Sequence, residues 1–194
     1  MDFNRIFNGM IRAMRLDTAF FEEVENDTSY NQDALWVVII VSIIGSVGSF
    51  LGSLIVGRSF ISALGGMIVS LVLAVVGYFL WVFIAHWVGT SLFKGTGDRG
   101  EVQRAFGFAY SPQVLNILAF IPCVGGLISL VAWIWSVVAG FIAIRQSMDQ
   151  DNTNALLTVI VSAVIVFVII AVLSGIFAAM GFGVAAISGA LTGR

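Results

Sequence analysis

Residues 105–144 read AFGFAYSPQVLNILAFIPCVGGLISLVAWIWSVVAGFIAI, a run without a single Asp, Glu, Lys or Arg. A hydrocarbon core about 30 Å thick takes about 20 helical residues at about 1.5 Å each, so this stretch can cross it twice. Pro122, Gly125 and Gly126 stand near its middle, where two antiparallel helices need their turn. The spacing predicts helices over 105–121 and 125–144. Both ends of such a hairpin face the same compartment, whether it crosses fully or dips in as a re-entrant loop; length favours full crossing.

The rest of the chain segregates its charge in the same way. Apart from Arg58 and Arg194, every charged residue lies in Asp2–Asp33, Lys94–Arg104 or Arg145–Asp151, which leaves 34–57, 59–93 and 152–193 uncharged. A mid-span charge costs on the order of 3 kcal/mol. Charged residues make up only 10% of the chain, against about 25% in an ordinary globular domain, so the excess apolar surface must face lipid. The expected fold is an all-α integral membrane protein. It comprises a five-helix bundle with spans at about 34–57, 67–88, 105–121, 125–144 and 155–180, and N-terminal amphipathic interfacial helices in residues 1–33. Residues 59–66 are expected at the interface before the second span. A sixth span over 176–193 is an alternative that its many glycines and alanines weaken.

Five crossings place the termini on opposite sides. With the N-terminus in the cytoplasm, Arg5, Arg12, Arg15, Lys94, Arg99, Arg104 and Arg145 lie inside, and only Arg58 and Arg194 outside. The positive-inside rule therefore favours N-in, C-out in a cytoplasmic membrane. At the N-terminus Phe3, Ile6, Phe7, Met10, Ile11 and Met14 recur at helical spacing, with the arginines off that face. Two placements remain open for this helix: on the leaflet with its cations near anionic headgroups, or packed on the protein's own cytoplasmic face. Asp17 has the character of an N-cap for a second short helix carrying Phe20, Phe21 and Val24.

Residues that announce chemistry are nearly absent. There is no GxSxG, no HExxH, no pair of span aspartates and no second histidine. The single Cys123 excludes an internal disulfide and a cysteine-cluster metal site. No basic stripe suits nucleic acid, and no cofactor or metal is expected. His86 is the one titratable side chain of interest within a span, near its expected cytoplasmic end. Pro112 breaks the helical ladder and deprives the Phe108 carbonyl of its donor, with Tyr110, Ser111 and Asn116 nearby to compensate. Gly45, Gly48 and Gly52 line the first span and permit close helix packing, within the molecule or in a homo-oligomer. The KGTGDRG loop, with Gly95 and Gly97, has neither the preceding strand nor the GK[ST] ending of a phosphate loop and serves as a turn between helices.

Several of these segments carry a family resemblance. The aromatic span ending in His86, the KGTGDRG loop, RAFGFAYSP (104–112), the IPCVGG turn and LVAWIWSVVAGFIAI resemble the Yip domain, the Ypt/Rab-interacting protein family, in its prokaryotic form. LDTAFFEEVENDTSYNQDAL before the first span is similar to the corresponding segment of such members. The resemblance implies five helices and a cytoplasmic N-terminus, with Gly95, Gly97, Tyr110 and Pro112 as determinants of fold or partner contact. Eukaryotic relatives act in vesicle traffic and bind prenylated Rab GTPases. That role does not carry over directly, since the acidic signature of the eukaryotic branch has no counterpart here and a prokaryotic host lacks Rab proteins. The expected function is non-enzymatic: a scaffold or adaptor in the bilayer with a cytoplasmic protein partner. The alternative is a small-solute transporter or channel with a path near Pro112 and His86.

Overall fold

The computed structural model describes residues 2–192, with side chains described for residues 2–176. Helices α1 (Phe3–Met14), α2 (Thr18–Asn26), α3 (Tyr30–Ile55), α4 (Phe60–Phe93) and α5 (Arg99–Ala109) lead into a 3₁₀ segment, Ser111–Phe120. Helices α6 (Gly125–Ser147) and α7 (Asn152–Thr192) follow. No strand occurs among the described residues. Four helical stretches are long and apolar enough to cross a membrane: Tyr30–Ile55, Phe60–Phe93, Gly125–Ser147 and Asn152–Ile176. The protein is thus helical with membrane-spanning elements, and many large apolar side chains on α4, α6 and α7 point outward, as lipid-facing surface does. The possible sixth span over 176–193 and the expected end of the fifth at 180 fall outside the residues whose side chains are described.

Two boundaries differ from expectation. Residues 60–66 are the first turns of α4 itself, which starts at Phe60 with Ser59 as its N-cap and continues through Gly65 and Gly66. Glycine costs a helix only about 1 kcal/mol relative to alanine, whereas unwinding in apolar surroundings would strand backbone donors. The single helix expected over 105–121 does not form either. Its helical part begins earlier, at Arg99, where Asp98 and Glu101 make a reciprocal capping box with bonds of 2.9 and 2.8 Å. It stops at Tyr110, because Pro112 offers no amide to Phe108. Ser111 Oγ donates to that carbonyl instead, at 2.6 Å, and the chain winds on as 3₁₀.

The tighter winding has a packing consequence. Gly107 lies against Ala34, and Phe120 lies against Gly52. Over that interval α3 advances about 27 Å at 1.5 Å per residue, while the facing segment must cover the distance at about 2.1 Å per residue, close to the 3₁₀ rise. The 3₁₀ stretch therefore runs beside α3 from Gly45 to Gly52, and a Cβ on Gly125 would fall on the Ala119 carbonyl at the turn into α6. Cys123 takes positive φ in that turn.

Candidate functional site

Two places concentrate polar groups. The first is a cap built from α1, α2, α5 and the 94–98 loop. Helix α1 turns Ile6, Met10 and Ala13 into a core with Phe20, Phe21, Val24, Tyr30 and Phe108. Gly9 is required there, since a Cβ would strike the Phe108 ring. Of the two placements open to α1, its inner face thus packs on the protein, while Phe3 and Phe7 remain 66% and 64% exposed. Two of its cations are internally engaged. Arg5 Nε stands 3.0 Å from Asp33 Oδ2. Arg12 reaches Asp17 Oδ2 at 2.8 Å and Glu23 Oε2 at 2.7 Å. Bonds from Arg12 hold Asp17 below its ordinary range; the Tyr30 hydroxyl, then Arg12, do the same for Glu23. Asp17 caps α2 through the Phe20 amide, as its sequence position suggests.

Arg104 ties the cap to the bundle, a role its place in a charged loop did not reveal. It is 4% exposed, yet all three guanidinium nitrogens are used: Nε donates to Val24 O at 3.0 Å, Nη1 to Asn31 Oδ1 at 3.1 Å, and Nη2 to Glu25 O. These carbonyls belong to the C-terminal turn of α2, where a cation also meets the negative end of the helix dipole. The loop after α4 is fixed just as firmly. Lys94 takes a left-handed conformation, the Gly95 amide bonds Gly89 O, and the Thr96 amide bonds Met148 O. A Cβ on Gly97 would fall on the Ser147 carbonyl. Thr96 Oγ1 donates to Asp149 Oδ2 at 2.7 Å, while Gln150 reaches Gly89 O and Phe93 O and accepts from Thr158. The KGTGDRG loop is thus locked onto the α6–α7 turn.

The second place is a chamber of about 240 Å³ between α3, α4, the 3₁₀ segment and α6. Ser42, Ser46, Ser49, Ser70, Gln113 and Asn116 border it, and none of its lining residues is charged. Ser70 Oγ lies 3.2 Å from Ser46 Oγ, and Asn116 Nδ2 donates to Gln113 Oε1 at 2.6 Å. Ser42 is 4% exposed, and its hydroxyl lies beside that of Tyr110. Tyr110 borders the chamber too, and Pro112 is buried beside it. His86 stands apart, on the α4 segment that precedes Thr90, whose hydroxyl bonds the His86 carbonyl. The structure therefore brings Tyr110, Asn116 and the Pro112 break together and leaves His86 out. Gly45 and Gly52 meet Asn116 and Phe120 at ordinary contact, while Gly48 faces the Asn116 carbonyl so closely that a Cβ has no room. No cluster of His, Cys, Asp and Glu suited to a metal occurs among the described residues.

This arrangement, apolar helices joined by a glycine-tight loop and a proline break after α5, agrees with a match to known proteins: the family model described as Yip1 domain covers residues 14–175. The chain belongs to the Yip1 domain family. The matched region starts at the end of α1 and takes in both the cap from α2 onward and the polar chamber. No curated protein and no solved structure matches the chain.

Proposed function

We propose that this Yip1-domain protein is a non-enzymatic membrane scaffold whose working surface is the cap. The observation that carries the reading is the fixation of three segments remote in sequence, α2, the start of α5 and the 147–151 turn, by Arg104 and the 94–98 loop. They present Glu22, Glu101 and Asp149 around Glu25 as one acidic face. A surface held by so many bonds meets a partner without paying for its own ordering. Its orientation is N-in and C-out in a prokaryotic cytoplasmic membrane, with seven of the nine Lys and Arg on the cap side. Helix α5 and the 3₁₀ segment together form the third of five crossings, supported by their run alongside α3 from Ala34 to Gly52. The exposed Phe3 and Phe7 of α1 face the leaflet.

Photo-crosslinkers at Glu22 and Glu101 in native membranes test the scaffold: a discrete adduct with a protein partner or a second copy is expected. A chain that stays an uncrosslinked monomer from both positions overturns it. The polar chamber favours a second reading, passage of a small solute past the Pro112 break. Flux across proteoliposomes that falls in Pro112→Ala supports it, and His86→Ala, remote from the chamber, serves as the comparison.

A further inference from the structure

The polar chamber has an apolar neighbour. A second cavity, of about 130 Å³, is bordered by Trp81, Phe106, Trp133, Val137 and Val159, and it shares Tyr110 and Gln113 with the chamber. Sharing those residues, the two adjoin as one groove bordered by α4, α6 and the 3₁₀ segment. The lining changes character at Tyr110: mainly aromatic and aliphatic in the smaller cavity, with Ser136 among it, and hydroxyl and amide in the chamber. In a hydrocarbon setting a polar group without a partner costs several kcal/mol, so a chamber bordered by serines and amides suits a polar occupant better than an apolar one. No lining residue supplies a charge to neutralise a phosphate or an amine, whereas serines and amides both donate and accept.

We propose that this groove binds an amphiphile with an uncharged, hydroxyl-bearing head group, the head among Ser42, Ser46, Ser70 and Asn116 and the chain against Trp81 and Trp133. The same hydroxyl chemistry can come from a lipid such as a diacylglycerol or from a free polyol. The occupant of the groove is independent of what the cap recruits, so the crosslinking experiment and the one below can fail separately.

Full-length protein in phosphatidylcholine nanodiscs is titrated with diacylglycerol brominated on its acyl chains, and tryptophan fluorescence is read. Quenching that saturates at a few mole per cent and is reversed by unbrominated diacylglycerol is expected, because two tryptophans line the apolar end. Brominated phosphatidylcholine should quench only in proportion to its mole fraction. Ser42→Val and Asn116→Leu should each raise the half-saturation point at least tenfold, with thermal unfolding showing that each variant folds. If both variants fail to fold, the wild-type titration still decides. A linear response identical for the two brominated lipids excludes a lipid occupant. Swelling assays of proteoliposomes in glycerol then identify a free polyol if permeation exceeds that of protein-free vesicles. Linear quenching together with no excess permeation overturns the proposal and leaves a chamber that holds water alone.

Discussion

The cap and the outer bundle solve the same packing problem with different means. In the cap, phenylalanines interlock at 5.1 to 6.0 Å between centroids, and the buried guanidinium of Arg104 spends every nitrogen on a specific partner, whereas Glu25 Oε2 has none. In the outer bundle the contacts are made by backbone: Gly48 on the Asn116 carbonyl, Gly52 on Phe120, Gly125 on Ala119. The Ser162 hydroxyl there is left unpartnered. Water drives the first region together through burial of large side chains; lipid offers no such drive, so the second depends on how closely backbones approach. Substitutions that remove a hydrogen bond should therefore hurt the cap, and substitutions that add volume should hurt the bundle.

Arg104→Met is expected to have the largest effect. It preserves length and apolar stem but strands the α2 carbonyls of Val24 and Glu25 together with Asn31, at a cost of about 3 kcal/mol. Thermal unfolding in detergent and protease cleavage near Asp27 both report it. A variant that resists protease as the wild type does would show that the cap holds without its tie. Gly48→Ala comes next, at about 2 kcal/mol, since the gain in helix propensity is outweighed by a methyl driven into the Asn116 carbonyl. Gly52→Ala, whose Cβ would sit 3.6 Å from Phe120 Cα, should change stability by no more than about 0.5 kcal/mol. Equal effects of the two glycines would dissolve the contrast between close and ordinary approach.

How much of this was legible follows the same divide. The apolar runs, the Asp17 cap and the rescue of the Phe108 carbonyl beside Pro112 could be read from spacing, because helix periodicity, caps and proline are local signals. The boundary errors arose where local rules compete. Gly65 and Gly66 look like a break yet stay helical, because lipid gives their amides no other partner. The Asp98 capping box pulled α5 forward to Arg99, out of what charge alone marked as a loop. Arg104 and the polar chamber were invisible for a different reason. Arg104 meets residues about eighty positions away, and the chamber's serines belong to three helices whose register no single run encodes.

Glu25 sharpens the comparison through pH. One of its carboxylate oxygens is buried without a partner. Burial first, then Asp149, Glu101 and Glu22, push the carboxyl from its ordinary 4.5 up to about 7, against the pull of Arg104. Between those two values the folded cap keeps a proton that the unfolded chain has released. The stability contribution is therefore complete below 4.5 and is lost as pH rises through about 7. Unfolding measured across that window should show falling stability with rising pH, and Glu25→Gln should flatten it. A slope that survives in Glu25→Gln assigns the proton to another group.

The smallest effect is expected where the two regions meet, at the outer face of α1. Phe3 and Phe7 lie one turn apart and are mostly exposed, outside the cap core, so Phe3→Ser with Phe7→Ser should leave unfolding in detergent within about 0.5 kcal/mol of wild type. In a bilayer the outcome should change, because two phenylalanines that leave lipid forfeit roughly 2 kcal/mol each of burial, which the core beneath α1 does not replace. Amide exchange over residues 3–14 in nanodiscs should therefore rise in the double variant, while exchange in α2, held by Arg104, stays as it was. Unchanged exchange in α1 would mean that its inner face, with Ile6, Met10 and the Arg5 and Arg12 ion pairs, holds the helix alone, and that the cap stands clear of the membrane it was assigned to touch.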